Sequence, residues 1–165
     1  MNVLVAGIGN IFFGDDGFGP EVARLLAQDG IAGVKIEDYG IRGLHLAYEL
    51  SAGYDRAFLI DAVGQGGVPG TLYRIEPGAV ETKSLPDAHR MDLENVLAFL
   101  RVIGGVAPPI TLIGCEPARY DEGIGLSAPV RDMVAPAADF VRRLVAETLA
   151  AANGGEKGST ICSEA

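Results

Sequence analysis

Residues 7–19, GIGNIFFGDDGFG, follow a strand-like run from Asn2 to Ala6 and carry two adjacent acids, Asp15 and Asp16. Read as a dinucleotide fingerprint, Gly7 and Gly9 would require a further glycine where Phe12 stands. Read as a phosphate-binding loop, Gly9 and Gly14 have the spacing, but Asp15 and Asp16 occupy the places of the lysine and the hydroxyl residue. Carboxylate–phosphate repulsion at about 4 Å costs a few kcal/mol even with surface-like screening, so this loop suits a cation rather than an anion. A further acid, Asp61, lies within or at the end of the most apolar run, Ala57 to Val63. Burial drives a lone carboxylate towards neutrality unless a cation or a hydrogen-bond donor meets it.

Histidine is scarce, with only His45 and His89, and His89 falls in LPDAHRMDL just before a helical stretch. If the first and third strands are neighbours, the loops bearing Asp16 and Asp61 open side by side. Asp16, Asp61 and His89 would then make a borderline-hard divalent site with open positions, suited to nickel, zinc, manganese or cobalt. Each residue also has a plainer reading. Asp15 and Asp16 stand where acids favour a helix N-terminus. Asp61 would accept backbone N–H groups at a strand end, His45 within Leu44-His45-Leu46 would be a packed or surface histidine, and Cys115 a buried small residue. Spacing alone leaves these alternatives open.

The elements that must position these groups alternate between short apolar strands and longer amphipathic segments. Strands are expected at 2–6, 34–39, 57–63, 70–75 and 110–115, and helices at 20–28, 43–50, 92–103 and 129–151. The run AFLIDAV is almost wholly apolar, as in a strand covered on both faces. The strand at 70–75 follows the turn-rich GQGGVPG and is expected at a sheet edge. Pro20 fits a first helical turn, where its missing N–H costs nothing. Pro136 should kink the last helix or mark its true beginning. Alternating strands and helices predict a three-layer α/β fold, with a mainly parallel sheet covered by helices on both faces. Residues 1–152 form one expected catalytic domain, and 153–165, beginning NGGEKGS, an expected flexible tail.

Composition narrows the function classes. The chain has 165 residues, 48% of them hydrophobic, and 13 Lys+Arg against 22 Asp+Glu give a net charge of −9. Domains commonly span about 100–200 residues, so one domain is expected. An acidic chain lacks the clustered cations that bind a phosphate backbone, so no nucleic-acid partner is expected. No apolar run approaches the ~20 residues that span a bilayer, and no basic n-region precedes the first strand, which makes the cytoplasm the expected compartment. Two cysteines, Cys115 and Cys162, make neither a disulfide framework nor a CxxC metal clip.

The run Val5-Ala6-Gly7-Ile8-Gly9-Asn10, followed by Gly14-Asp15-Asp16-Gly17-Phe18-Gly19, resembles the signature Gly-(Ile/Val)-Gly-Asn, four residues, Asp-(Asp/Glu)-Gly-x-Gly of the hydrogenase maturation endopeptidases. Asp38, Asp61 in LIDAV, Pro69-Gly70, His89 and Ile124-Gly125-Leu126-Ser127 match as well, so the similarity covers most of residues 1–150. The resemblance implies a compact five-stranded sheet between helix layers, acting as a monomer. It implies one endoproteolytic cut that removes the C-terminal extension of a nickel-iron hydrogenase large-subunit precursor after nickel insertion. Metal contact and catalysis map onto Asp16, Asp61 and His89, with Asp38 a further carboxylate candidate, and the nickel is supplied by the precursor rather than permanently bound. Two departures stand out. Some relatives carry glutamate at the position of Asp16, and many have Gly-Gly-(Thr/Ser) where this chain has Tyr39-Gly40-Ile41. The zinc-protease HExxH is absent, and no Ser-His-Asp or Cys-His order is visible. Two other classes remain: a metal-dependent hydrolase of a small amide or peptide, and a non-enzymatic maturation chaperone.

Overall fold

The structure, a computed structural model, describes residues 1–77 and 92–155. Its strands are β1 (Val3–Ile8), β2 (Val34–Gly40), β3 (Arg56–Ala62), β4 (Leu72–Ile75) and β5 (Ile110–Cys115). The helices are α1 (Phe18–Asp29), α2 (Gly43–Leu50), α3 (Leu93–Val102), α4 (Ala128–Arg131) and α5 (Val134–Gly155). The strands form one sheet in the order β2-β1-β3-β5-β4. β1 pairs in parallel with both β2 and β3, and β3 with β5, while β4 runs antiparallel at the edge beside β5. The expected neighbourhood of the first and third strands and the edge position of the fourth are both present.

Pleating sorts the apolar residues to two cores, because successive strand side chains point to opposite faces. Val3, Val5, Phe58 and Ile60 pack with Phe18, Val22 and Leu26 of α1 and Ala137, Val141 and Val145 of α5. Leu4, Ala6, Ile8, Ala57 and Leu59 pack on the other face with Leu46 and Leu50 of α2 and Val96 and Leu100 of α3. Strands buried on both faces read as continuous apolar runs, and every residue of β1 and β5 is buried. Asp61 alternates with Ala57 and Leu59, which puts it on the α2–α3 face of the sheet.

Most element ends fall within two residues of the expectation, and three differences are larger in kind. A 3-10 turn at Gly14–Gly17 precedes α1 within the segment read as loop. The expected helix 129–151 is two helices. α4 is short, and α5 starts at Val134 with Pro136 in its first turn, where helix N–H groups lack intrahelical partners anyway. Pro136 therefore marks the true beginning of the long helix rather than a kink. α5 continues through Gly155, so residues 153–155 of the expected tail are helical, and the rest of that tail lies outside the described residues.

α1 lies on the sheet with almost no gap. A Cβ on Gly19 would sit 2.2 Å from the Ile60 carbonyl oxygen and 2.3 Å from that of Ile8, and one on Gly7 would sit 2.3 Å from the Gly19 oxygen. This close approach brings the start of α1, with the acidic turn before it, against the C-terminal ends of β1 and β3. Gly19→Ala should force the helix off the sheet and lower stability by about 1–3 kcal/mol, the usual range for overpacking. The midpoint of a urea unfolding curve checks it, and an unchanged midpoint would contradict the close approach.

Candidate active site

The site begins where β1 ends. Gly9 has φ 126°, and a Cβ there would lie 2.0 Å from the Asp16 backbone oxygen, so only glycine lets the loop fold back this closely. Its N–H donates to the Gly40 carbonyl at 3.1 Å, which ties the loop to β2. The next N–H, from Asn10, donates to Asp16 Oδ2 at 2.6 Å. Asp16 is partly buried, and burial raises its carboxyl above the usual value; the Asn10 N–H opposes the rise and the charge of Asp92 adds to it.

Asp61 approaches from β3 and is only 4% exposed. Its Oδ1 accepts the Ala62 N–H at 2.8 Å. Burial and then the negative charge of Asp16 hold the Asp61 carboxyl well above the ordinary aspartate range, the Ala62 N–H opposing and Asp92 adding to the effect. The structure thus brings Asp16 and Asp61 together as an electrostatically coupled pair at the C-terminal rim of the sheet. His89 lies outside the described residues. Asp92, not singled out from the sequence as part of the site, caps α3 by accepting the Asn95 N–H at 2.9 Å and adds its charge to the pair.

Two oxygen donors in a desolvated setting fit a hard or borderline divalent cation, because such an ion reverses the electrostatic cost of ionising both carboxyls. Each carboxylate accepts a backbone N–H on only one of its oxygens in the bonds described above. Among the described residues no group of three His, Cys, Asp or Glu is arranged to hold a metal, so the pair needs a further ligand to complete a site. Asp38, the other carboxylate candidate, stands at the end of β2. Its carboxylate meets Arg24 Nε at 3.0 Å and Nη2 at 2.9 Å, and it lines a separate cleft of about 250 Å³ with Gly9, Phe12, Tyr39 and Arg42.

Asp15 has a structural task that its position in the sequence does not disclose. It is fully buried, and its carboxylate accepts Ser127 N–H at 2.6 Å, Ala118 N–H at 2.8 Å, the Ser127 hydroxyl at 2.9 Å and Arg119 N–H at 3.0 Å. Burial alone would raise this carboxyl, but the donors from Ser127, Ala118 and Arg119 hold it below the usual range. The Ser127 of the Ile-Gly-Leu-Ser match therefore serves to bind Asp15. Glu116 does the same for the loop after β3. It accepts Gln65 N–H at 2.7 Å, Gly66 N–H at 3.1 Å and the Tyr73 hydroxyl at 2.8 Å, and these bonds, the Gln65 N–H foremost, keep its carboxyl low. Cys115 is buried and its thiol is pushed up to about 12, by burial first and then by the charges of Asp15 and Glu116, which makes it a core residue and not a thiolate nucleophile. His45 is exposed on α2. No described helix is long and apolar enough to cross a membrane.

Comparison with known proteins agrees with the fold. A family model described as hydrogenase maturation protease matches residues 20–143. The hydrogenase 2 maturation protease of Escherichia coli K12 is 32% identical over 155 residues, covering 90% of this chain and 93% of that protein. A hydrogenase expression/formation protein of Bradyrhizobium diazoefficiens is 32% identical, covering 88% of this chain and 78% of that protein. Among solved structures, a hydrogenase 2 maturation peptidase from a Thaumarchaeota archaeon superposes with a TM-score of 0.67 at 34% identity, covering 88% of this chain and 99% of the other. The E. coli hydrogenase maturating endopeptidase gives 0.73 at 26% identity, covering 90% and 94%.

Asp61 and Asp15 should respond oppositely to neutralisation. A carboxyl raised on folding binds more protons in the native than in the unfolded state, so its contribution falls as pH rises. Asp61→Asn should therefore raise the thermal midpoint at pH 7, with the gain disappearing as pH falls below the unfolded aspartate value. Asp15→Asn removes a lowered carboxyl and leaves buried N–H groups poorly met, so it should cost about 2 kcal/mol or more near neutrality. That loss should shrink as pH drops through the native Asp15 value. Thermal melts of both variants from about pH 2 to pH 8, a range that spans the ordinary aspartate value and the region below it, check these signs.

Proposed function

The chain belongs to the hydrogenase maturation protease family, and so is a peptide hydrolase acting in hydrogenase maturation; on that premise we propose that it removes the C-terminal extension of a nickel-iron hydrogenase large-subunit precursor once nickel has been inserted. The observation that carries this reading is the desolvated Asp16–Asp61 pair: burial raises both carboxyls, the charge of Asp16 raises Asp61 further, and Asp92 adds to both. In this reading the nickel is part of the substrate. Among the described residues no third metal-binding side chain joins the pair, and a site completed by further ligands suits an ion that arrives already held by the precursor.

Asp16 and Asp61 would grip that ion through carboxylate oxygens, with His89 as the third ligand. Before the precursor docks, burial and the charge of Asp16 favour the protonated form of Asp61. A cation held by the precursor would offset that cost and favour the ionised form of Asp61. Nickel loading would thereby be coupled to the charge state of the site. The bound ion supplies a positive charge that polarises the peptide and orients it. One of the two carboxylates would accept a proton from the water as its oxygen bonds to the carbonyl carbon, and would return that proton to the departing amine nitrogen as the C–N bond breaks. Processing in the cytoplasm by a single copy of the chain completes this reading.

Incubation of the purified protein with nickel-loaded and nickel-free precursor under anaerobic conditions, followed by intact-mass measurement of the large subunit, tests the proposal. Only the loaded precursor should be shortened. Asp16→Ala, Asp61→Ala and His89→Ala should each lower the rate by about a hundredfold or more, as expected for groups that handle protons in the reaction. Equal cleavage of loaded and empty precursor would contradict metal recognition. Near-normal cleavage by all three variants would remove them from the mechanism.

A further inference from the structure

Tyr120 lies on the segment that leaves β5 and turns back over the C-terminal ends of the strands. Its side chain is half exposed, yet its hydroxyl donates to the carbonyl oxygen of Ala62, the residue after Asp61, at 3.3 Å. One residue earlier, Arg119 is fastened to Asp15 in both directions. Its N–H donates to Asp15 Oδ2 at 3.0 Å, and its carbonyl accepts the Asp15 N–H at 3.2 Å. Four residues earlier, Glu116 secures the start of the same segment to the loop after β3. The phenol is thus bracketed between the residue before Asp16 and the residue after Asp61.

The group placed there is a donor that stays a donor. Burial, then the charges of Asp61 and Asp16, push the Tyr120 phenol upward from its ordinary value, so it remains protonated throughout the working pH range. Its bond to Ala62 is long against the usual 2.7–2.8 Å or so for O–H···O, and a better acceptor would displace it. A peptide carbonyl brought beside two acids gains negative charge as water attacks, and that charge needs a preorganised donor. Ionised carboxylates cannot supply one.

We propose that the Tyr120 hydroxyl is a substrate-contacting group of this site, donating its hydrogen bond to the scissile carbonyl oxygen beside Asp16 and Asp61, with Asp15 as the positioning residue that holds its segment in place. This rests on the peptidase reading above. The half-exposed ring is open to an incoming chain, while the fastened backbone leaves the hydroxyl little freedom to wander.

Steady-state cleavage of nickel-loaded precursor by Tyr120→Phe, which keeps the ring and removes only the hydroxyl, provides the test. The loss expected is about tenfold or more in kcat/KM, carried in kcat, with an unchanged thermal midpoint. Wild-type kinetics for Tyr120→Phe, or a loss confined to KM, overturns the contact with the scissile carbonyl. Asp15→Asn, or the milder Ser127→Ala if the first does not fold, should cost activity in the wild type and little more in the Tyr120→Phe background. Fully additive losses overturn the role given to Asp15. Failure of the wild type to cleave loaded precursor overturns the peptidase reading and this inference with it, whereas normal cleavage by Tyr120→Phe overturns this inference alone.

Discussion

Two carboxylates drawn out of water and set against one another are the constraint on which the rest of the structure depends. Asp61 is almost fully buried and Asp16 partly so, and each meets a single backbone N–H on one oxygen. Neither bond offsets the cost of ionising both acids, and Asp92 at the head of α3 adds to it. A fold optimised for stability alone would replace one of them with an amide. Their retention in this form is intelligible if a cation is to be received there, because only then does the arrangement become favourable.

Much of the surrounding architecture serves to keep these acids where they are. Gly9 lets the first loop fold onto Asp16, and Gly19 lets α1 seat against the carbonyls of Ile8 and Ile60. Asp15 and Glu116 act as internal staples, each satisfied by three or more donors, and between them they hold the segments on either side of the rim. Four acids close in space therefore divide into two kinds. Asp15 and Glu116 are lowered by donors that meet them, and Asp16 and Asp61 are raised because little does. The first kind spends its charge on local order; the second keeps it available.

The fold was largely legible because its signals are local. The apolar run of β3 and the edge position of β4 follow from residues within a few positions, whereas Pro136 left a kink and a helix start open until α5 placed it in a first turn. The convergence of Asp16 and Asp61 was legible once the first and third strands were taken as neighbours, which the parallel pairing of Val5 with Phe58 and Gly7 with Ile60 realises. The function of Asp15 was not, since its partners lie 103 to 112 residues further along and nothing beside it names them. Its place before a helix suggested a dipole contact, and the longer-range hydrogen bonds prevailed. Tyr120 and Glu116 were invisible for the same reason: their roles arise from a loop folding back over the strand ends. Asp92 was read as the start of a helix, which it is, but its charge reaches the pair only through the packing of α3 on the sheet.

The most direct measurement is a carbon-13 NMR titration of the aspartate carboxyl groups in the free protein, repeated with a divalent nickel or zinc salt present. The Asp61 resonance should titrate well above the ordinary aspartate range in the free protein, with Asp16 raised to a lesser degree and Asp15 depressed. Added cation should shift the first two downward and leave Asp15 unmoved. Ordinary values for Asp16 and Asp61, insensitive to each other and to the cation, would contradict the view that these acids form one desolvated receiving site.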